Sequence, residues 1–150
     1  MIKELLPFTD QIETVGSIRR RRQEVKTIDI LLVPKGALLF ELMAKIVSLG
    51  SEDGMKVAYK KMVILKDEFG DIEAHLWFTT TEKWPVMLLL KTGGTKSNQR
   101  IATLLKDKKC EIVPKEGSII DENGKRLPIE KEKDIFELLG IPFLEPGLRE

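Results

Sequence analysis

The run Ile28-Asp29-Ile30-Leu31-Leu32-Val33 limits what this chain can fold into more than any other stretch. A strand with one wet face alternates apolar and polar residues, whereas a nearly continuous aliphatic run reads as an interior strand covered on both faces. Residues 25–33, VKTIDILLV, therefore predict an inner strand of a layered sheet, and Pro34-Lys35-Gly36 ends it. One carboxylate, Asp29, sits inside this apolar run.

The segment before that strand has its own chemistry. Residues 11–15 alternate and predict a strand that enters a turn at Gly16-Ser17, followed by the run Arg19 to Arg22. A Gly-Ser turn beside arginines can hold a polyphosphate through backbone amides and guanidinium groups. A carboxylate on the adjacent strand can hold the divalent cation that accompanies it. Together these features suggest nucleotidyl transfer. Such a site usually carries two carboxylates on this strand, and here Thr27 stands two residues before Asp29.

The other elements follow from periodicity and punctuation. A short amphipathic helix is expected over 2–8, and a longer one over 37–49, capped at Gly50. Strands are expected over 57–66 and 71–79, joined by the hairpin signal Asp67-Glu68-Phe69-Gly70. In the second of these, Asp71, Glu73 and His75 share one face, with Ile72, Ala74 and Leu76 on the other. Thr80-Thr81-Glu82 opens a helix through Leu90, with Pro85 in its first turn, and Thr92-Gly93-Gly94 breaks it. A further helix is expected from Thr95 to Lys108. From Cys110 onward a small sheet, a turn at Asp121-Glu122-Asn123-Gly124 and a helix from Lys131 to Leu139 capped by Gly140 complete the chain. The two glycines near residues 92–95 mark a hinge and a subdomain boundary.

Composition excludes several classes. Lys and Arg number 25 against 24 Asp and Glu, so a protein that coats DNA mainly by charge is not expected, although a local basic face is compatible. The single cysteine, Cys110, allows no internal disulfide, and one Cys with one His gives no basis for a structural zinc site. No apolar run approaches the roughly 20 residues that span a bilayer, and the N-terminus lacks the pattern of a signal peptide. These features lead us to expect a soluble, cytoplasmic protein without a membrane partner.

Five segments then fall in register with one family. GSIRR resembles the Gly-Ser-x-Arg-Arg phosphate-binding turn of the DNA polymerase X family, the polymerase beta-like nucleotidyltransferases. TIDILL resembles its Asp-x-Asp strand, DIEAHLWF its strand with a third carboxylate, and KTGGTKSNQR the segment that follows the palm. GSIIDENGKRLPIEKEKDIFELLGIPFLEPGLRE resembles the C-terminal thumb of bacterial members. The resemblance implies an α+β fold: a nucleotidyltransferase palm (mixed sheet with helices) over 1–93, then a small α/β thumb over 94–150.

The resemblance also implies roles. Gly16 and Ser17 would contact the terminal phosphates of an incoming deoxynucleoside triphosphate, and Arg20 would bind the triphosphate. Asp29 and Glu73 would be catalytic residues and would bind magnesium or manganese. Gly93 would pack against the sugar, and Asn98 would reach the minor-groove edge of the base. The implied activity is a minimal DNA polymerase that adds deoxynucleotides to a primer end on a DNA primer-template, in repair or replication. The alternative is a catalytically lapsed polymerase-like domain that binds nucleotide or DNA.

This sequence departs from the family's pattern at several points. Thr27 replaces the aspartate that bridges both metals, leaving a two-metal site one carboxylate short. Glu73 replaces an aspartate, Lys26 a glycine and Lys91 an aromatic residue. Asp71 stands where an arginine is frequent, and Ala102 where a residue reaching template DNA can stand. The resemblance covers the palm and thumb only, without the lyase and fingers domains that grip gapped DNA, and is compatible with a partner chain that supplies a DNA-gripping domain. Asp71 shares a face with Glu73 and either replaces the lost carboxylate or simply begins a strand at the surface. Read without the family, Asp29 and Glu73 are a solvated edge or an ion pair, and the arginines are a solvated turn. Trp77 and Trp84 are expected in the core, and His75 on an exposed strand position without a role.

Overall fold

A computed structural model describes the backbone of residues 1–49, 51–52, 60–67 and 70–150, and the side chains of 1–49 and 70–150. The expected cap at Gly50 and the turn residues Glu68 and Phe69 lie outside the described residues.

The chain forms an α+β fold. Its sheet has five strands: β1 (Thr9–Val15), β2 (Thr27–Pro34), β3 (Ser51–Glu52), β4 (Lys60–Asp67) and β5 (Gly70–Phe78). Their spatial order is β1-β2-β5-β4-β3, so the apolar run of β2 is interior, as expected. β2 pairs antiparallel with β1 and parallel with β5, which makes the sheet mixed.

Both faces of β2 are covered because its side chains alternate between two cores. Ile30 and Leu32, with Leu76 of β5, pack against Leu5 of α1 (Ile2–Leu5) and against Leu42 and Ile46 of α3 (Leu39–Leu49). On the opposite face Leu31 and Val15 pack against Leu88 of α4 (Trp84–Thr92), with Trp77, Trp84 and Met87 beside them. Both tryptophans are thus partly buried and packed against the core, as expected. Each fully buried aliphatic side chain here contributes about 1.5–3 kcal/mol relative to exposure.

The C-terminal half has a core of its own. Val86 and Leu89 of α4 join Ile101 and Leu105 of α5 (Thr95–Asp107), Ile119, and Ile135, Phe136 and Leu139 of α6 (Glu132–Leu139). A two-stranded ribbon, β6 (Glu111–Val113) and β7 (Ser118–Ile120), closes this core. Cys110 is buried within it. Gly140 caps α6 in the left-handed region at φ 66°, where a side chain would be strained. At the other end of α6 the Asp134 carboxylate accepts from the N–H groups of Lys131 and Glu130, at 2.8 and 3.0 Å. α4 serves both cores, with Leu88 facing the sheet while Val86 and Leu89 face α5 and α6.

Candidate functional site

The face of the sheet beneath α4 carries polar residues where α4 no longer covers it. Strand register brings them together: Thr27 lies beside Glu73, Asp29 beside His75, and Leu31 beside Trp77. Asp29 stands at the centre. Its Oδ2 accepts from the Thr27 hydroxyl at 3.2 Å, and its Oδ1 accepts from the Trp77 indole N–H at 3.1 Å. The same Oδ1 faces His75 Nδ1 at 3.2 Å. The other ring nitrogen, Nε2, contacts the Glu73 carboxylate. Asp71 is exposed at the start of β5.

His75 is the residue that sequence reasoning missed. Its side chain is only 16% exposed and bridges the two carboxylates assigned to metal binding. The signal lay in the strand alternation that put it on the same face as Glu73. What the sequence could not show was the parallel register that sets His75, rather than Glu73, directly beside Asp29.

This donor set bears on the two-cation expectation. A carboxylate binds a cation through lone pairs, and both oxygens of Asp29 already face hydrogen-bond donors. Both nitrogens of His75 point at carboxylates, so neither is aimed at an ion. Among the described residues no group of three or more His, Cys, Asp or Glu is placed to hold a metal ion. As arranged, these side chains form no two-cation centre among the described residues.

The Gly-Ser turn sits against this centre. Gly16 begins the short helix α2 (Gly16–Arg19) at φ +61°, and a Cβ there would lie 2.9 Å from Asp29 Oδ2. Ser17, Arg20, Arg22, Lys26 and Thr27 line an open cleft of about 360 Å³ beside it. Arg20 Nη1 donates to the Thr92 carbonyl at 2.7 Å, while its Nε is buried with no partner among the described residues. Burial, then the neighbouring Arg22, hold the Arg20 guanidinium below its ordinary pKa, against the pull of Asp29. An anion in the cleft would favour the charged guanidinium and so oppose both effects.

Gly93 and Asn98 are brought together. The Asn98 side-chain amide donates to the Leu90 carbonyl at 2.9 Å. Its Oδ1 is buried without a partner among the described residues and lies against Gly93, where a Cβ would overlap it.

Thr92, beside them, was not singled out from sequence. Its carbonyl accepts from Arg20, and its hydroxyl accepts from Arg19 Nη1 at 2.7 Å. Arg19 also donates to Glu13 at 2.9 Å and to Glu132 at 2.8 Å. Glu132 in turn pairs with Arg149, whose side chain is fully buried and lies 5.1 Å from the rings of both Phe136 and Phe143. Burial opposes ionisation of Glu132, but the hydrogen bonds and charges of Arg149 and Arg19 outweigh it and bring its pKa below the ordinary value of 4.5. This buried network ties the arginine turn to α6 and the C-terminal segment.

Compared with protein families, residues 87–150 match the one described as DNA polymerase beta thumb. This segment is similar to a polymerase beta thumb. The match spans α5, α6, the ribbon and the Glu132–Arg149 pair, and it begins inside α4, the helix shared by both cores. The resemblance to the polymerase X family is therefore supported over residues 87–150, a segment similar to one element of a DNA polymerase. No curated protein matches the chain. Among the described residues no helix is long and apolar enough to cross a membrane.

Proposed function

We propose that this chain is a polymerase X palm and thumb, with the palm over 1–93 and the thumb over 94–150, that binds a deoxynucleoside triphosphate and DNA. The observation that carries this reading is Arg20, whose buried Nε lacks a partner among the described residues beside a cleft also lined by Ser17, Arg22 and Lys26. The triphosphate would lie on the Gly16-Ser17 turn and Arg20. Its sugar would lie against Gly93 and its base edge near Asn98, whose Oδ1 is without a donor among the described residues. The thumb would hold the DNA, and a partner chain would supply further grip on it.

Titrating the full chain with a deoxynucleoside triphosphate tests this directly. Arg20→Ala should weaken binding on the order of tenfold or more, the value of one charge-assisted hydrogen bond. Equal affinity in the variant would overturn the assignment.

Primer extension is the second reading, with Asp29 and Glu73 as catalytic, cation-binding residues. It is favoured by the contact of Gly16 on Asp29, which sets a phosphate turn against a carboxylate. The donors around Asp29 weigh against it, and so does the hydroxyl of Thr27. We expect no extension by the wild-type chain with magnesium or manganese, and extension only once Thr27→Asp restores the second carboxylate. Extension by the wild type that is lost in Asp29→Ala would instead establish the enzyme.

A further inference from the structure

A second cleft, of about 570 Å³, lies away from the Gly-Ser turn, between the end of β5, α4 and the turn joining β6 to β7. That volume is within the range of small-ligand sites. Phe78, Met87 and Leu90 give it an apolar lining, and Lys83, Lys91 and Lys115 give it positive charge. Among the described residues no carboxylate lines it. The Thr79 hydroxyl, also on its wall, is buried without a hydrogen-bond partner among the described residues.

The cations are spaced along the cleft. The stem of Lys83 packs against Gly117, in the same turn as Lys115, where a Cβ on Gly117 would lie 2.6 Å from the Lys83 Cβ. Lys91 lies eight residues further along the chain, and its ammonium rests 3.5 Å from the centre of the Trp77 ring. At the rise of an α-helix that separation is about 12 Å, more than one phosphate group can bridge. An apolar surface with cations at two ends fits a base with phosphates on either side, as in an unpaired stretch of a nucleic-acid strand.

We propose that this cleft binds single-stranded DNA, seating an unpaired base on Phe78, Met87 and Leu90 with flanking phosphates at Lys83, Lys115 and Lys91. This rests on the reading of the chain as DNA-binding, but it uses a surface separate from the triphosphate cleft. The charged rim holds the backbone without regard to sequence, and the apolar lining selects unstacked over paired bases.

The test uses the full chain and a fluorescently labelled oligodeoxythymidine, with anisotropy read across a salt series. Two variants separate charge from folding. Lys115 is exposed, so Lys115→Glu leaves packing alone; Lys83→Met keeps the stem on Gly117 and removes the charge. Each variant should weaken single-strand binding by roughly fivefold at low salt and reduce the salt slope by about one. Triphosphate binding should stay unchanged in both. Competition by inorganic phosphate as effective as that by unlabelled oligonucleotide would show an anion site only and overturn the proposal. Unaltered oligonucleotide affinity in both variants would overturn it while leaving DNA binding elsewhere intact. Failure of the wild type to bind primer-template, oligonucleotide or triphosphate would remove both this proposal and the reading beneath it.

Discussion

Gly16 and Asp29 show how a single residue sets the geometry here. The left-handed φ of Gly16 and its contact with Asp29 Oδ2 leave no room for a side chain. Gly16→Ala is expected to cost about 1–3 kcal/mol through backbone strain and to push the Asp29 carboxylate off the Thr27 hydroxyl. Urea unfolding checks the first effect, and reduced triphosphate affinity, measured under native conditions, checks the second. Glycine and aspartate were both legible in the sequence as candidates. Their direct contact was not, because it depends on how the turn folds back on β2. His75 is the clearest case: a residue assigned no role from its local pattern became central once the parallel register set it beside Asp29.

At the scale of elements, α2 and α6 are joined by buried charge. Removing one partner of a buried ion pair leaves the other desolvated and unpaired, which typically costs about 3–5 kcal/mol. Arg149→Met, which leaves Glu132 facing Arg19 alone, should lower stability by that order in urea titrations. The same network predicts a pH dependence. Glu132 has a folded pKa below its ordinary 4.5, so its contribution is complete above that value and is lost as pH falls through the folded pKa. Between neutral pH and pH 3, Glu132→Gln should show a shallower fall of its urea midpoint than the wild type. A parallel fall in both would place the acid sensitivity elsewhere. The helices and caps of this region follow from local pattern: Gly140 ends α6 where expected. The network itself could not be read, since Glu13, Arg19, Glu132 and Arg149 are scattered along the chain and carry no common spacing.

At the scale of the whole molecule, α4 is the element on which the two halves meet. The glycine pair after it predicted a boundary near 92–95, yet Val86 and Leu89 belong to the thumb core while Leu88 belongs to the sheet core. Leu89, nearly fully buried, should therefore matter beyond its own packing. Leu89→Ala is expected to cost about 2–5 kcal/mol and to lower protection from hydrogen exchange in both halves. Loss of protection in the thumb alone would show that the halves unfold independently.

The sequence by itself determined the α+β class, the interior position of β2, most helices and strands, and the thumb. These follow from short-range regularities: an unbroken apolar run, helical spacing, and the turn and cap residues between them. It also singled out Gly16, Ser17, Arg20 and Asp29 as neighbours in chemistry, because they lie close along the chain. Tertiary structure alone decided that Asp29 is held by Thr27, Trp77 and His75, that Thr92 orients two arginines, and that lysines from α4 and a distant turn line one cleft. Those contacts join residues far apart in sequence, and only strand register and helix packing bring them within hydrogen-bond or ionic range.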